Sequence, residues 1–88
     1  MALFPSKEEI EATKQQILRI FRPDEQLLAA QVSIRLEEKT GGRKVLKDSK
    51  VINFLNDLVK EERLLKKEEE QTIRGHKVNA VLYFLPRV

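Results

Sequence analysis

Cysteine is absent from the 88-residue sequence, and histidine occurs once, at position 76. Without cysteine, the chain can form neither a disulfide framework nor a thiolate metal site. No apolar run approaches the roughly 20 residues that span a bilayer, and the start of the chain lacks the basic and apolar regions of a signal peptide. The sequence therefore predicts a cytoplasmic chain with no membrane segment.

The residue patterns of catalytic and cofactor sites are also missing. His76 has no serine or cysteine beside it, and no two carboxylates are spaced along an apolar helix face. Gly41 and Gly42 lack the flanking residues of a phosphate-binding loop. The consecutive glutamates 68–70 would point to alternate faces of a strand and cannot converge on one ion. We expect no enzyme activity, no catalytic residue, no metal or other cofactor and no small-molecule ligand.

The composition is that of one small globular domain covering residues 1–88. Hydrophobic residues make up 41% of the chain and charged residues 35%, which is typical of a folded, well-solvated protein. Residues 39–60 contain six lysines and arginines against two aspartates, although the net charge of the chain is only +3. A basic stretch of this kind is typical of nucleic-acid binding, and solvated surface lysines give the same count.

Two helices are predicted in the first half of the chain. The first covers 7–22, because Ser6 and Glu9 have the spacing of a capping box at its start. Pro23 forbids its continuation. The second covers 25–39, although its dense apolar pattern leaves room for two elements.

The second helix has clear candidates for its ends. Asp24 is a good N-cap residue. Gly41 suits the left-handed position that follows a helix. A short connection then leads to the third helix, as a helix-turn-helix unit requires.

The third helix is predicted over 47–62 and is amphipathic. Its apolar face carries Val51, Ile52, Phe54, Leu55, Leu58 and Val59. Its opposite side carries Ser49, Lys50, Asn53, Asn56, Asp57 and Lys60. One face should therefore be buried, while the other meets solvent or a nucleic-acid groove.

A β-hairpin is predicted over 64–85. A turn at Arg74-Gly75 would set Leu65 opposite Phe84 and Lys67 opposite Leu82. Leu64 and Leu65 would both enter the core. The tip, residues 73–77, is basic.

The third helix and the strand after it resemble the winged helix-turn-helix family, with a recognition helix followed by a wing. The residues that carry the resemblance are Ser49, Val51, Leu55, Leu58, Leu64 and Leu65. Family members usually have glycine where this chain has Arg63. The resemblance implies an α+β fold of three helices followed by a two-stranded wing. It also implies an alternative in which residues 26–28 are extended and pair with the wing, with the second helix over 29–39.

The resemblance further implies a small transcriptional regulator that binds double-stranded DNA, with the third helix in the major groove and the wing on the backbone. Asn53 could bond adenine through two atoms, and Lys50 could reach guanine or a phosphate. The residues expected to contact DNA are Arg43, Lys44, Lys47, Ser49, Lys50, Asn53, Arg74, His76 and Lys77.

Two further expectations concern protein partners. The acidic residues Asp48, Asp57, Glu61 and Glu62 lie on or near the third helix and would disfavour phosphates. A winged-helix module that binds another protein is therefore the alternative function. The apolar tail at residues 1–5, together with the first helix, predicts a homodimer contact.

Overall fold

The computed structural model describes residues 6–43 and 46–86. Within these ranges the fold is α+β, with three helices and a three-stranded antiparallel sheet. The elements are α1 (Lys7–Ile20), β1 (Gln26–Leu28), α2 (Ala29–Lys39), α3 (Asp48–Lys60), β2 (Leu65–Ile73) and β3 (His76–Phe84). The predicted tail at 1–5 and the predicted DNA contact Lys44 lie outside the described residues. None of the described helices has the length and apolar character needed to cross a bilayer.

Local hydrogen bonds set the bounds of α1. The Ser6 hydroxyl accepts a bond from the Glu9 N–H at 3.1 Å, as the capping-box spacing predicts. The helix ends at Ile20 rather than at residue 22, because Phe21 is already extended. The extended backbone carries the Phe21 side chain into the core, where it is 5% exposed.

The prediction of one helix over 25–39 is wrong at its start. Gln26–Leu28 form β1, and α2 begins only at Ala29, as in the alternative interpretation. Pairing with β3 buries Leu27 to 3% exposure, which favours the extended form over a further helical turn. The Gln31 side chain accepts a hydrogen bond from the Leu28 N–H at 2.8 Å and so satisfies one of the donors at the start of α2.

Asp24, the predicted N-cap, lies instead in the turn before β1 and has a φ of 65°. Arg35 of α2 fixes this turn through a bidentate ion pair with Glu25, in which Nη2 lies 2.8 Å from Oε2. Its Nη1 also donates to the Ile20 carbonyl at 3.3 Å. One arginine therefore ties α2 both to the end of α1 and to the turn.

α2 ends in a Schellman motif, as Gly41 predicts. The Gly42 N–H bonds the Glu37 carbonyl at 2.7 Å, and the Gly41 N–H bonds the Glu38 carbonyl at 3.3 Å. Gly41 has a φ of 73°, a conformation that costs glycine little. The chain can therefore reverse towards α3 within a short connection.

α3 is shorter than the predicted 47–62 at both ends. It ends in the same kind of turn, but with a charged residue in the left-handed position, since Glu62 has a φ of 62°. The Arg63 N–H bonds the Leu58 carbonyl at 2.9 Å, and the Glu62 N–H bonds the Val59 carbonyl at 3.0 Å. The left-handed residue is thus Glu62, one position before Arg63, where winged-helix proteins usually have glycine.

β3 is the central strand of the sheet, whose order is β1-β3-β2. The predicted hairpin register is confirmed, with Leu65 opposite Phe84 and a two-residue turn between Ile73 and His76. The prediction of a two-stranded wing is corrected, because β1 also pairs with β3. The order along the chain is helix, strand, helix, helix, strand, strand.

The core lies between the helices and one face of the sheet. Its fully buried side chains are Ile17, Val32, Val51, Leu55, Leu58 and Leu64. On β3, Tyr83 belongs to this core and Val81 packs against it. Leu65 does not enter the core and is 42% exposed, because consecutive strand residues point to opposite faces and Leu64 already occupies the core side.

Candidate nucleic-acid interface

The first two turns of α3 carry four of the residues predicted to contact DNA, counting Lys47 just before the helix. Val51, Leu55 and Leu58 are buried at 1%, 0% and 0% exposure, and they fix which side of α3 faces the core. The predicted residues lie away from that side and are exposed: Lys47, Ser49, Lys50 and Asn53. The structure therefore brings these four together on one accessible surface, which we call the α3 outer face.

Two residues of α3 differ from the predicted faces. Ile52, expected in the core, is 41% exposed. Asn56, expected to face solvent, is half-buried and accepts a hydrogen bond from the Tyr83 hydroxyl at 3.1 Å. The part of α3 that contacts the core is therefore narrower than the apolar face predicted from the sequence. The sheet covers the side of the helix that carries Asn56, and Ile52 stays partly exposed.

The connection before α3 adds cationic groups. Arg43 is exposed, and its carbonyl accepts a hydrogen bond from the Thr40 hydroxyl at 2.6 Å. Lys47 directly precedes the first helical residue, Asp48. The helix N-terminus also carries a partial positive charge, so two cations and the helix dipole lie at the same end of α3.

The hairpin tip, residues 73–77, is a separate region of the surface. Arg74 and Gly75 have φ angles of 52° and 81°, as a type I′ turn requires. Arg74, His76 and Lys77 are all exposed. The tip lies at the far end of two strands of nine residues each, which corresponds to roughly 30 Å of extended chain from the base.

Acidic side chains reduce the positive charge of α3 and of the hairpin tip. Lys77 at the tip lies 3.5 Å from Glu70 across the hairpin. In α3, Asp48 and Asp57 balance Lys50 and Lys60, so the helix itself has no net charge. The positive character therefore comes from the connection before α3 and from the hairpin tip.

A charged cluster beside the interface could not be predicted from the sequence. Arg63 forms a bidentate pair with Glu11 of α1, with distances of 2.9 and 2.6 Å, and also bonds Glu61 at 3.0 Å. Lys14 of α1 pairs with the other oxygen of Glu61. The hydrogen bond from Arg63 is the main reason why the pKa of Glu11 falls from its ordinary value of 4.5 to about 2. This cluster, which we call the α1–Arg63 clamp, ties α1 to the end of α3.

Groups for metal binding do not gather within the described residues. In residues 6–43 and 46–86, no three histidine or acidic side chains lie where they could share a metal ion. His76 is exposed at the start of β3. The clamp holds its carboxylates in ion pairs with Arg63 and Lys14, which gives those carboxylates a structural role.

Comparisons of the chain with models of protein families, with curated protein sequences and with solved structures give no match.

Proposed function

We propose that the chain is a winged-helix domain that binds double-stranded DNA, with α3 in the major groove and the β2–β3 hairpin on the backbone. The observation that carries the proposal is the α3 outer face, on which Ser49, Lys50 and Asn53 are exposed beside Lys47. A helix of 13 residues is roughly 20 Å long, and the major groove admits a helix of this kind.

The connectivity supports the winged-helix part of the proposal. In that family a short strand before the second helix pairs with the wing that follows the recognition helix. Here β1 directly precedes α2 and pairs with β3. The hairpin that follows α3 takes the place of the wing.

The roles of the residues follow from their chemistry. The Asn53 carboxamide can donate and accept at adenine N6 and N7, and Lys50 can donate to guanine or to a phosphate. Arg43 and Lys47 approach phosphates from the connection, while Arg74 and Lys77 do so from the hairpin tip. Ser49 and His76 add hydrogen-bond donors at the same two places. Transcriptional regulation is the biological role that we propose for such a domain.

A second candidate function is binding to a protein partner. The specific observation that favours it is the neutral charge of α3 together with the exposed glutamates 68–70 of β2. Phosphates would be repelled by these glutamates, whereas a basic protein surface would be attracted.

The test is fluorescence anisotropy with a random-sequence duplex at two salt concentrations. We expect binding that weakens steeply with salt. Substituting Arg74→Ala with Lys77→Ala should lower affinity on every sequence and reduce the log–log salt slope by about 1.8, at roughly 0.9 per phosphate contact. Arg19→Ala with Arg22→Ala is the matched control, because it removes the same charge from exposed positions at the end of α1.

Base reading is tested on a duplex selected for tight binding. Asn53→Ala should cost about 1–3 kcal/mol on the selected site and little on random duplex. Asn56→Ala on the same helix is the control, since Asn56 bonds Tyr83 and should affect stability rather than sequence preference. An unchanged affinity and salt slope in the hairpin-tip double variant would refute the DNA proposal and favour the protein partner.

A further inference from the structure

β2 is a free edge of the sheet. It pairs with β3 on one side, and no backbone hydrogen bond among the described residues reaches its other side. Ile73 and His76 close a two-residue turn, so they form a hydrogen-bonded pair and every second residue of β2 points its N–H and C=O away from β3. The residues with these open groups are Lys66, Glu68, Glu70 and Thr72. An added strand could pair with all of them.

The order of charged residues along β2 indicates which strand can pair with this edge. Two lysines, at 66 and 67, are followed by three glutamates, at 68–70. Charges on an edge strand normally discourage pairing. A second copy of β2 can nevertheless pair with this edge in the antiparallel direction, with the two Glu68 residues opposite each other. Lys66 then lies opposite Glu70 of the second copy, and Lys67 lies opposite its Glu69.

Each of these oppositely charged pairs occurs twice, because the arrangement is symmetric. Opposite charges directly across an antiparallel pair stabilise it. Lys67 and Glu69 already lie 4.0 Å apart within one chain. In the paired form these two side chains and their copies would make one cluster of alternating charge on a single face of the sheet.

The two neighbouring symmetric registers have fewer oppositely charged pairs. With the two-fold axis at Lys67, that lysine faces its own copy and Leu65 faces a glutamate. With the axis at Glu69, that glutamate faces its own copy and Glu68 faces Glu70. The register centred on Glu68 has four oppositely charged pairs and one like-charged pair. The Lys67 register has only two oppositely charged pairs, both between Lys66 and Glu68, and the Glu69 register has none.

Exposed apolar side chains support the same register. Leu65 and Ile73 lie on the face of β2 that points away from the core and are 42% and 54% exposed. With the axis at Glu68, Leu65 lies opposite Gln71 of the second copy and diagonally across from its Ile73. Diagonal neighbours are about 7–8 Å apart, within reach of long side chains. Pairing would therefore cover two exposed apolar residues at each end.

We propose that the chain forms a homodimer by antiparallel pairing of two β2 strands about a two-fold axis at Glu68. One sheet then runs through both copies. This contact differs from the one expected from the sequence, which involved the first helix and residues 1–5. It does not rest on the DNA-binding proposal, because it uses residues 66–70 on the edge of the hairpin, whereas DNA binding uses α3 and the hairpin tip.

A charge-swap experiment in sedimentation equilibrium tests the dimer, at protein concentrations from about 10 μM to about 1 mM. One variant carries Lys66→Glu with Lys67→Glu, and the other carries Glu69→Lys with Glu70→Lys. All four side chains are exposed, so both variants should fold, and circular dichroism checks this. Each variant alone should dimerise at least about tenfold more weakly than the unmodified chain, since every cross-strand pair becomes repulsive.

An equimolar mixture of the two variants should form a heterodimer, because each new glutamate then faces a lysine. All four substitutions in one chain should restore the homodimer at unchanged net charge, which controls for bulk electrostatics. Glu68→Gln should tighten self-association, because it removes the like-charged pair on the axis. A monomer at every concentration, full dimerisation of either variant alone, or a mixture that stays monomeric would overturn the proposal.

Discussion

The two ends of β3 lie in different environments. Residues 80–84 contain three buried side chains, Ala80, Leu82 and Tyr83, and the last two pair with β1 as well as with β2 at the base of the sheet. The outer half of the hairpin, residues 69–79, is exposed throughout except for the half-buried Gln71. The base is therefore held by side-chain packing, while the outer half is held by the strand ladder and its two-residue turn. Substitutions at the base should change stability, and substitutions in the outer half should change what the surface contacts.

The largest expected effect on stability is in the hydrophobic core. Leu55 is fully buried in the middle of α3, so Leu55→Ala should leave a cavity and destabilise the fold by about 2–5 kcal/mol. Ile52→Ala on the same helix is the control, and it should cost far less because Ile52 is 41% exposed. Urea unfolding of both variants measures the difference. Equal losses would mean that α3 is rotated about its axis relative to the described orientation.

A stabilising substitution is expected where α3 leads into the hairpin. Glu62 has a φ of 62°, a conformation that costs a side-chain-bearing residue more than glycine. Glu62→Gly should therefore raise the free energy of unfolding by about 0.5–1 kcal/mol. Glu62→Ala is the control, because it removes the same side chain but keeps a Cβ in the left-handed conformation. Thermal unfolding distinguishes the two, and a destabilised Glu62→Gly variant would contradict the assignment of this turn.

Two valines on β3 test the difference between the base of the sheet and the outer half of the hairpin. Val81 packs against the core, whereas Val78 is 40% exposed in the outer half of the hairpin. Val81→Ala should cost about 1 kcal/mol or more, and Val78→Ala should stay within about 0.5 kcal/mol. Chemical denaturation of the two variants gives the result. Similar losses would show that the outer half is packed as tightly as the base.

The smallest expected effect is a loss of stability at low pH. The pKa of Glu11 is lowered to about 2, mainly by its hydrogen bond from Arg63, so the unfolded chain binds this proton at higher pH than the folded chain does. The contribution of Glu11 is present above its ordinary pKa of 4.5 and is lost as the pH falls towards 2. The effect should be small, because the Glu11 side chain is 49% exposed and solvent screens the pair.

Melting temperatures of the unmodified chain and of Glu11→Gln, taken between about pH 5 and about pH 2.5, check this expectation. The unmodified chain should lose more stability over this range, and the two curves should converge at the acid end. Glu8→Gln, on the same helix but outside the clamp, should follow the unmodified chain. Parallel curves for the unmodified chain and Glu11→Gln would show that the clamp does not contribute to stability.

The features that could be predicted from the sequence are those set by local periodicity. The helical period placed Leu55 inside and Asn53 outside, and the turn at Arg74-Gly75 fixed the hairpin register. The outer face of α3 in the candidate site follows from the same period. A single helix or turn contains all the information that these assignments need.

The features that could not be predicted depend on contacts between distant parts of the chain. Local pattern does not predict β1, which follows only from the alternative that the winged-helix resemblance implies, because its extended form depends on pairing with a strand more than fifty positions later. Leu64 and Leu65 are both apolar, so composition alone does not say which of them enters the core. Arg63 meets Glu11 across 52 positions, and Tyr83 meets Asn56 across 27. Each of these outcomes is decided by tertiary packing.

Leu28 is at once the last residue of β1 and the residue that precedes α2, with no linker between them. Freeing β1 from β3 would therefore require the start of α2 to shift as well. In terms of amide hydrogen exchange, the base of the sheet and α2 should open as one cooperative unit, near the free energy of global unfolding. The outer half of the hairpin lacks this attachment and can fray on its own. Its amides should exchange through a separate, low-energy opening that leaves the helices protected.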